Sequence, residues 1–171
     1  MAAVLDLPSR DQIAAFDTAE RMRFVQQLHQ AECELAAARA DLLGVMEASG
    51  DHHADGHGRI ANLIVALTNT SAGEANAQVK SMRTLWLLPD VHERLRSGGI
   101  GVAQVQSIAA VYGNPRVRDF LPVVEDQLLE WADAPLPEFD STLRDFARLA
   151  DADGAEQRDR ARHERRNLHL S

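Results

Sequence analysis

The sequence predicts an all-α fold: a multi-helix bundle with a long N-terminal helix and a short strand-like C-terminal tail. Three observations carry that expectation. Ala and Leu supply much of the apolar content while aromatic residues make up only 5%, a mix that enters helices at little cost and packs pleated surfaces poorly. Apolar residues recur at steps of three and four through most of the chain, the period of one helix face. Each such run is bounded by a Ser or Asn cap, a proline or a glycine pair, which are start and stop signals. The 171 residues suit one domain, burying roughly 70% of the unfolded surface. Its parts read as a helix over residues 1–48, a Gly/His-rich connector over 49–58 and a helical domain over 59–171.

In the first helix Ser9 precedes Gln12 by three, a capping-box spacing just after Pro8. Phe24, Leu28, Ala31, Leu35, Ala38, Leu42 and Val45 then follow at alternating steps of four and three, a heptad rhythm that gathers all seven on one seam. That seam packs either on later helices of the same chain or on a second copy, with Phe24, Leu28, Leu35 and Leu42 as its anchors. Gly44 and the segment after it close the pattern. The connector SGDHHADGHG offers His52, His53, His57, Asp51 and Asp55, suitable zinc ligands in kind. The flexibility of its three glycines gives them poor preorganisation, so the segment reads as a solvated loop without a metal.

From Gly58 to Thr68 a helix places Ile60, Leu63, Ile64 and Leu67 on one face. Ser71 with Glu74 repeats the capping-box spacing and opens a helix to about Leu88, with Ala75, Val79, Met82, Leu85 and Trp86 inward. Pro89 and Asp90 stop it and cap a two-turn helix ended by Gly98-Gly99. From Val102 a further helix buries Val105, Ile108, Ala109 and Tyr112. Asn114-Pro115 opens the next as N-cap and first turn. Pro122 bends the chain near Phe120, and a helix restarts to Trp131. After the stiff APLP connector (134–137) a helix to about Ala150 buries Phe139, Leu143, Phe146 and Leu149. Asp151 to Gly154 breaks it, and an Arg-rich helix covers roughly Ala155 to Arg165. Leu168 and Leu170 alternate with polar neighbours, a strand's period. A lone strand cannot satisfy its own backbone, so it pairs with another chain or the protein continues past Ser171.

The net charge of −8 argues against holding nucleic acid through bulk electrostatics. Acids prevail at both ends, whereas residues 61–113 are near neutral, and Lys80 is the sole lysine. The rest of the basic residues are arginine, a bias of high-GC coding. Cys33 is alone, which excludes an internal disulfide and suits a reducing cytoplasm. The N-terminus MAAVLDLPSRDQ shows no secretory pattern, and no run approaches the roughly 18 apolar residues of a membrane span. A cytoplasmic location without a membrane role is therefore expected.

Chemistry is sparsely signalled. Residues 60–86 have the layout of a helix-turn-helix, in which Asn76, Lys80 and Arg83 would face a DNA groove; ordinary helix packing explains the same layout. Arg158, Arg160, Arg162, Arg165 and Arg166 could grip phosphates, yet Glu156, Asp159 and Glu164 interleave with them at helical spacing. His163, Asn167 and His169 carry the letters of a His-Asn-His nuclease at intervals too short for its hairpin-and-helix site. There is no phosphate-cradling Gly loop or nucleophile elbow, and no pair of carboxylates stands out for acid–base work. No catalytic residue, cofactor, metal or small-molecule substrate is expected of this chain.

The central block from Asp55 to Val111 nonetheless has a recognisable order. Asp55-Gly56, Ser71 with Glu74-Ala75, Val79, Leu85, Leu88-Pro89, Leu95, Gly99-Ile100 and the helix from Val102 resemble the 13E12-repeat family, built on the domain of unknown function 222. The run LRDFARLADADGAEQRDRARHERRNLHLS is similar to that family's Leu-rich helix, Asp-rich break and Arg-rich helix entering a strand. The resemblance spans about residues 20–171. It implies the helical region of proteins from high-GC bacteria and their mobile elements, in which an HNH endonuclease domain with its divalent metal follows. No position here matches that nuclease motif, so no catalytic residue is carried over. The expected function is a non-catalytic N-terminal module that positions or regulates a nuclease through DNA contact or self-association. The alternative is a standalone interaction or regulatory protein, dimeric through its first helix, without nucleic-acid function.

Overall fold

A computed structural model describes the backbone of residues 7–168 and the side chains of residues 7–152. It is all-α: ten α-helices and one 3₁₀ turn are found among the described residues, and no strand. The helices are α1 (Arg10–Ala15), α2 (Thr18–Ser49), α3 (Asp51–Ala54), α4 (Ile60–Thr68), α5 (Ala72–Leu87), α6 (Pro89–Arg96), α7 (Val102–Tyr112), α8 (Pro115–Arg118), α9 (Glu125–Ala132) and α10 (Leu136–Leu168). No helix among the described residues is long and apolar enough to cross a membrane.

The expected single N-terminal helix is two. Ser9 and Gln12 do form their reciprocal box, but the chain turns extended at Phe16 and Asp17. Asp17 then starts again: its carboxylate accepts from the Glu20 N–H while Glu20 accepts from the Asp17 N–H. A second box six residues into a helix satisfies local donors better than continuing. Gly44 does not end α2, which runs about 48 Å at 1.5 Å per residue. It ends at Gly50, whose φ of 76° closes the helix in the left-handed conformation.

The connector is more ordered than a solvated loop. It holds α3, and His52 is buried there, its ring tilted 40° to that of His53 with centroids 4.0 Å apart. Asn69 then ends α4 at φ 53°, a conformation asparagine tolerates. Ser71 caps α5 by accepting from the Glu74 N–H at 3.1 Å. The return half of that expected box is absent, because the Glu74 carboxylate accepts from Gln78 instead.

α5 is the hub of the bundle, packing on α2, α4, α6 and α7, while α10 packs on α7, α8 and α9. The shared core includes Ala37, Met82, Leu88, Val91, Leu95, Ile108, Leu128 and Phe139. Asn114-Pro115 opens α8 as expected, with the Asn114 side chain accepting from the Arg116 N–H. Pro122 falls in the 3₁₀ turn Leu121–Val124, the expected bend. Three expected core side chains lie outward instead. Leu67, Trp86 and Leu149 are each more than half exposed, and Ala150 takes the buried place beside Leu149.

The start of α6 corrects the capping expectation. Asp90 does not cap it. The carboxylate of Glu125, 34 residues beyond Val91, accepts from the Asp90 and Val91 N–H groups at 2.8 and 3.0 Å. The expected break at Asp151–Gly154 is also absent, since α10 passes through it to Leu168. The Arg-rich helix is thus the second half of α10. Leu168 is helical, and the remainder of the expected strand-like tail, with Leu170, lies outside the described residues.

Candidate self-association surface

α2 has two apolar stripes on opposite sides. Assigning heptad letters with Leu28, Leu35 and Leu42 at a puts Phe24, Ala31, Ala38 and Val45 at d. The residues that pack on the body, Cys33, Ala37, Ala40, Leu43 and Gly44, fall at f, c, f, b and c, the far side of the same helix. The expected seam therefore does not pack on later helices of the chain. Leu35, Leu42 and Val45 are 59%, 59% and 58% exposed, and Ala38 is exposed beside them. Phe24, Leu28 and Ala31 are half-buried, Phe24 by an edge-on contact from Phe16 at 5.8 Å. No described residue before Cys33 is buried.

The inner stripe is made of small residues for a reason. Ala37 and Cys33 are fully buried and let α2 approach α5 and α6 closely. The Cys33 thiol donates to the Ile100 carbonyl at 3.5 Å, and burial pushes its pKa up, so it behaves as an inert core residue. At Gly44 there is no space for a Cβ, because the Trp86 indole lies against it.

The charges flanking the outer seam fall into two groups. On one flank, Asp41 is held by Arg96 at 2.6 Å and lies 3.4 Å from His92, while Glu34 accepts from Gln30 at 2.9 Å. On the other, Glu32 and Arg39 are exposed and have no ion-pair partner among the described residues. A helix with one apolar face already in the core, a second in water and unpaired charges beside it has the make-up of a packing surface.

The residues expected to face DNA are engaged within the chain. The Asn76 side chain donates to the Ala72 carbonyl at 2.7 Å and accepts from Arg59 at 3.1 Å. Lys80 donates to the Ala110 carbonyl at 3.2 Å. Arg83 forks onto Glu47 at 2.5 and 3.1 Å, which holds the Glu47 carboxyl below its ordinary value. Arg158, Arg160, Arg162, Arg165 and Arg166 lie on the second half of α10, and their side chains are outside the described residues, as are those of His163, Asn167 and His169.

No group of three or more His, Cys, Asp or Glu placed to hold a metal occurs among the described residues. A cavity of about 120 Å³ lies between α2, α5 and α7, walled by Ala40, Leu43, Met82 and Val105. No histidine or cysteine lines it.

What emerges is an all-α bundle whose long second helix is apolar on two sides. Residues 22–171 match the family model of the domain of unknown function DUF222, and the chain belongs to that family. No curated protein and no solved structure matches it.

Proposed function

We propose that this chain is a non-catalytic, self-associating helical module, pairing through the outer stripe of α2 with the same stripe of a second copy. The association would position or regulate a neighbouring effector, a nuclease in the resemblance drawn from the sequence. The two-sided apolar pattern of α2 carries this reading. A monomeric surface helix needs one apolar stripe, and keeping a second in heptad register is useful only if something buries it. The hydrogen bonds that tie Asn76, Lys80 and Arg83 to other groups of the same chain favour this route over DNA reading by α4 and α5.

Sedimentation equilibrium across micromolar concentrations tests the proposal. The expected result is a concentration-dependent monomer–dimer equilibrium, abolished by Leu35→Glu without loss of helical circular dichroism. A concentration-independent monomer for the unaltered chain overturns it.

A further inference from the structure

Resting on that association, we infer that the two copies of α2 run antiparallel, in the register that sets Leu35 of one copy opposite Ala38 of the other. Side-chain volume decides the direction. The a positions of the outer stripe are leucines at 28, 35 and 42, and its inner d positions are alanines at 31 and 38. In a parallel pair each residue meets its own copy, so leucine layers would alternate with alanine layers. The spacing set by the leucines then leaves voids at the alanines. Reversing one helix brings a opposite d, and the inner layers then combine one large with one small side chain. Leu35 meets Ala38, Leu42 meets Ala31, and Leu28 closes the end against Val45. Large facing small fills such layers without voids.

Charge selects the register. With Leu35 opposite Ala38, the flanking e positions set Glu32 against Arg39 of the second copy, twice by symmetry. Neither charge has an ion-pair partner within the described chain. Val25, exposed, comes toward Met46 on the same flank, whose side chain is partly buried against its own core. The opposite flank brings Glu34 toward Asp41, but Asp41 is already neutralised by Arg96 at 2.6 Å. The neighbouring registers fare worse. Sliding one heptad one way sets Glu32 against Glu32 and Glu34 against Glu34 across the two-fold axis. Sliding the other way sets Arg39 against Arg39 and Asp41 against Asp41. Like charges facing each other at an interface are disfavoured.

The arrangement sends the two N-terminal segments, α1 and the first turns of α2, to opposite ends of the dimer. There Phe24 of one copy lies beside Ser49 of the other.

Charge exchange and cross-linking test the orientation apart from the association. Arg39→Glu weakens the dimer about tenfold, since two symmetric pairs turn repulsive. Adding Glu32→Arg restores the affinity, because the pair is remade with its signs exchanged. In a parallel pair the partner of Arg39 is Glu34, so rescue by Glu34→Arg in place of Glu32→Arg overturns the inference while leaving the dimer intact. Failure of both rescues also overturns it. Under oxidation, the double variant L35C/A38C forms a covalent dimer and L35C alone does not. Cross-linking by L35C alone marks a parallel pair, because only there do the two residues at 35 face each other. Glu32, Arg39, Leu35 and Ala38 are all exposed, so monomer melting curves stay unchanged. A wild-type chain that never dimerises instead removes the association itself.

Discussion

Trp86 and Gly44 are complementary: the indole of one occupies the space where the other would carry a Cβ. The ring is half exposed and donates through Nε1 to the Ala40 carbonyl at 3.3 Å. Gly44 lies inside a 32-residue helix, where alanine is ordinarily favoured by about 1 kcal/mol. Here Gly44→Ala should instead lower stability by about 1–2 kcal/mol, by displacing the indole. Trp86→Ala in the same chain should reverse the sign, making Gly44→Ala neutral or stabilising. Urea denaturation of the four variants of this cycle measures the coupling, and additivity would show that the contact is without consequence.

The inner and outer stripes of α2 give a paired prediction. Ala37 is fully buried and Ala38 exposed, so a leucine at each does different things. Ala37→Leu should cost about 1–3 kcal/mol by overpacking the contact with α5 and α6. Ala38→Leu should leave the thermal midpoint of the dilute monomer within error. If Ala38→Leu destabilised as much as Ala37→Leu, the assignment of inner and outer faces would be wrong.

Glu125 joins α9 to α6. Its removal in Glu125→Ala leaves one buried and one partly buried N–H donor without their acceptor and should cost about 1–3 kcal/mol. Burial, opposed by those two N–H donors, raises its pKa above the ordinary 4.5. The folded state therefore holds the proton more tightly than the unfolded state does. As pH rises from the unfolded value through the folded one, this group subtracts stability. Glu125→Gln cannot ionise and should flatten that decline, which urea midpoints between pH 4 and 8 would detect.

Glu47 has the opposite sign. Its hydrogen bonds from Arg83 lower its pKa, so it adds stability above the unfolded value, lost as pH falls through the folded one. The pair is partly exposed, and Arg83→Gln should cost only about 0.5–1 kcal/mol near neutral pH. In acid the difference between Arg83→Gln and the parent should vanish. A difference that persisted there would mean that Arg83 contributes through packing rather than charge.

Local punctuation made most elements legible in advance. Ser9, Ser71, Asn114-Pro115 and Gly98-Gly99 mark helix ends whose causes are contained within a few residues, and the structure places ends there. What misled the reading was tertiary. Glycine at 44 reads as a helix stop, yet its partner Trp86 is 42 positions away in the sequence and no local rule links them. Asp90 sits where a cap belongs, but the acceptor comes from Glu125. The Asp-rich run at 151–154 looks like a break, and α10 nevertheless continues through it. The outer seam of α2 was visible as a heptad, but its orientation was not. Periodicity shows that residues share a face without showing which way the face points. A second series at 33, 37, 40 and 44, small residues at steps of four, three and four, was the available signal for the buried side.

Because both stripes belong to one continuous helix, α2 acts as a gear shaft that fixes the angle between its face in the bundle and its face in water. One extra residue inserted near Ala36 would turn everything before it by about 100° relative to everything after it. Inner and outer stripes would then lose alignment at once. Seven extra residues placed before Gln30 would return both stripes to phase and only lengthen the free end, by about 10 Å. Length changes in this helix should therefore be tolerated in whole heptads and rejected singly, a quantised tolerance that neither face would impose on the other if they belonged to separate helices.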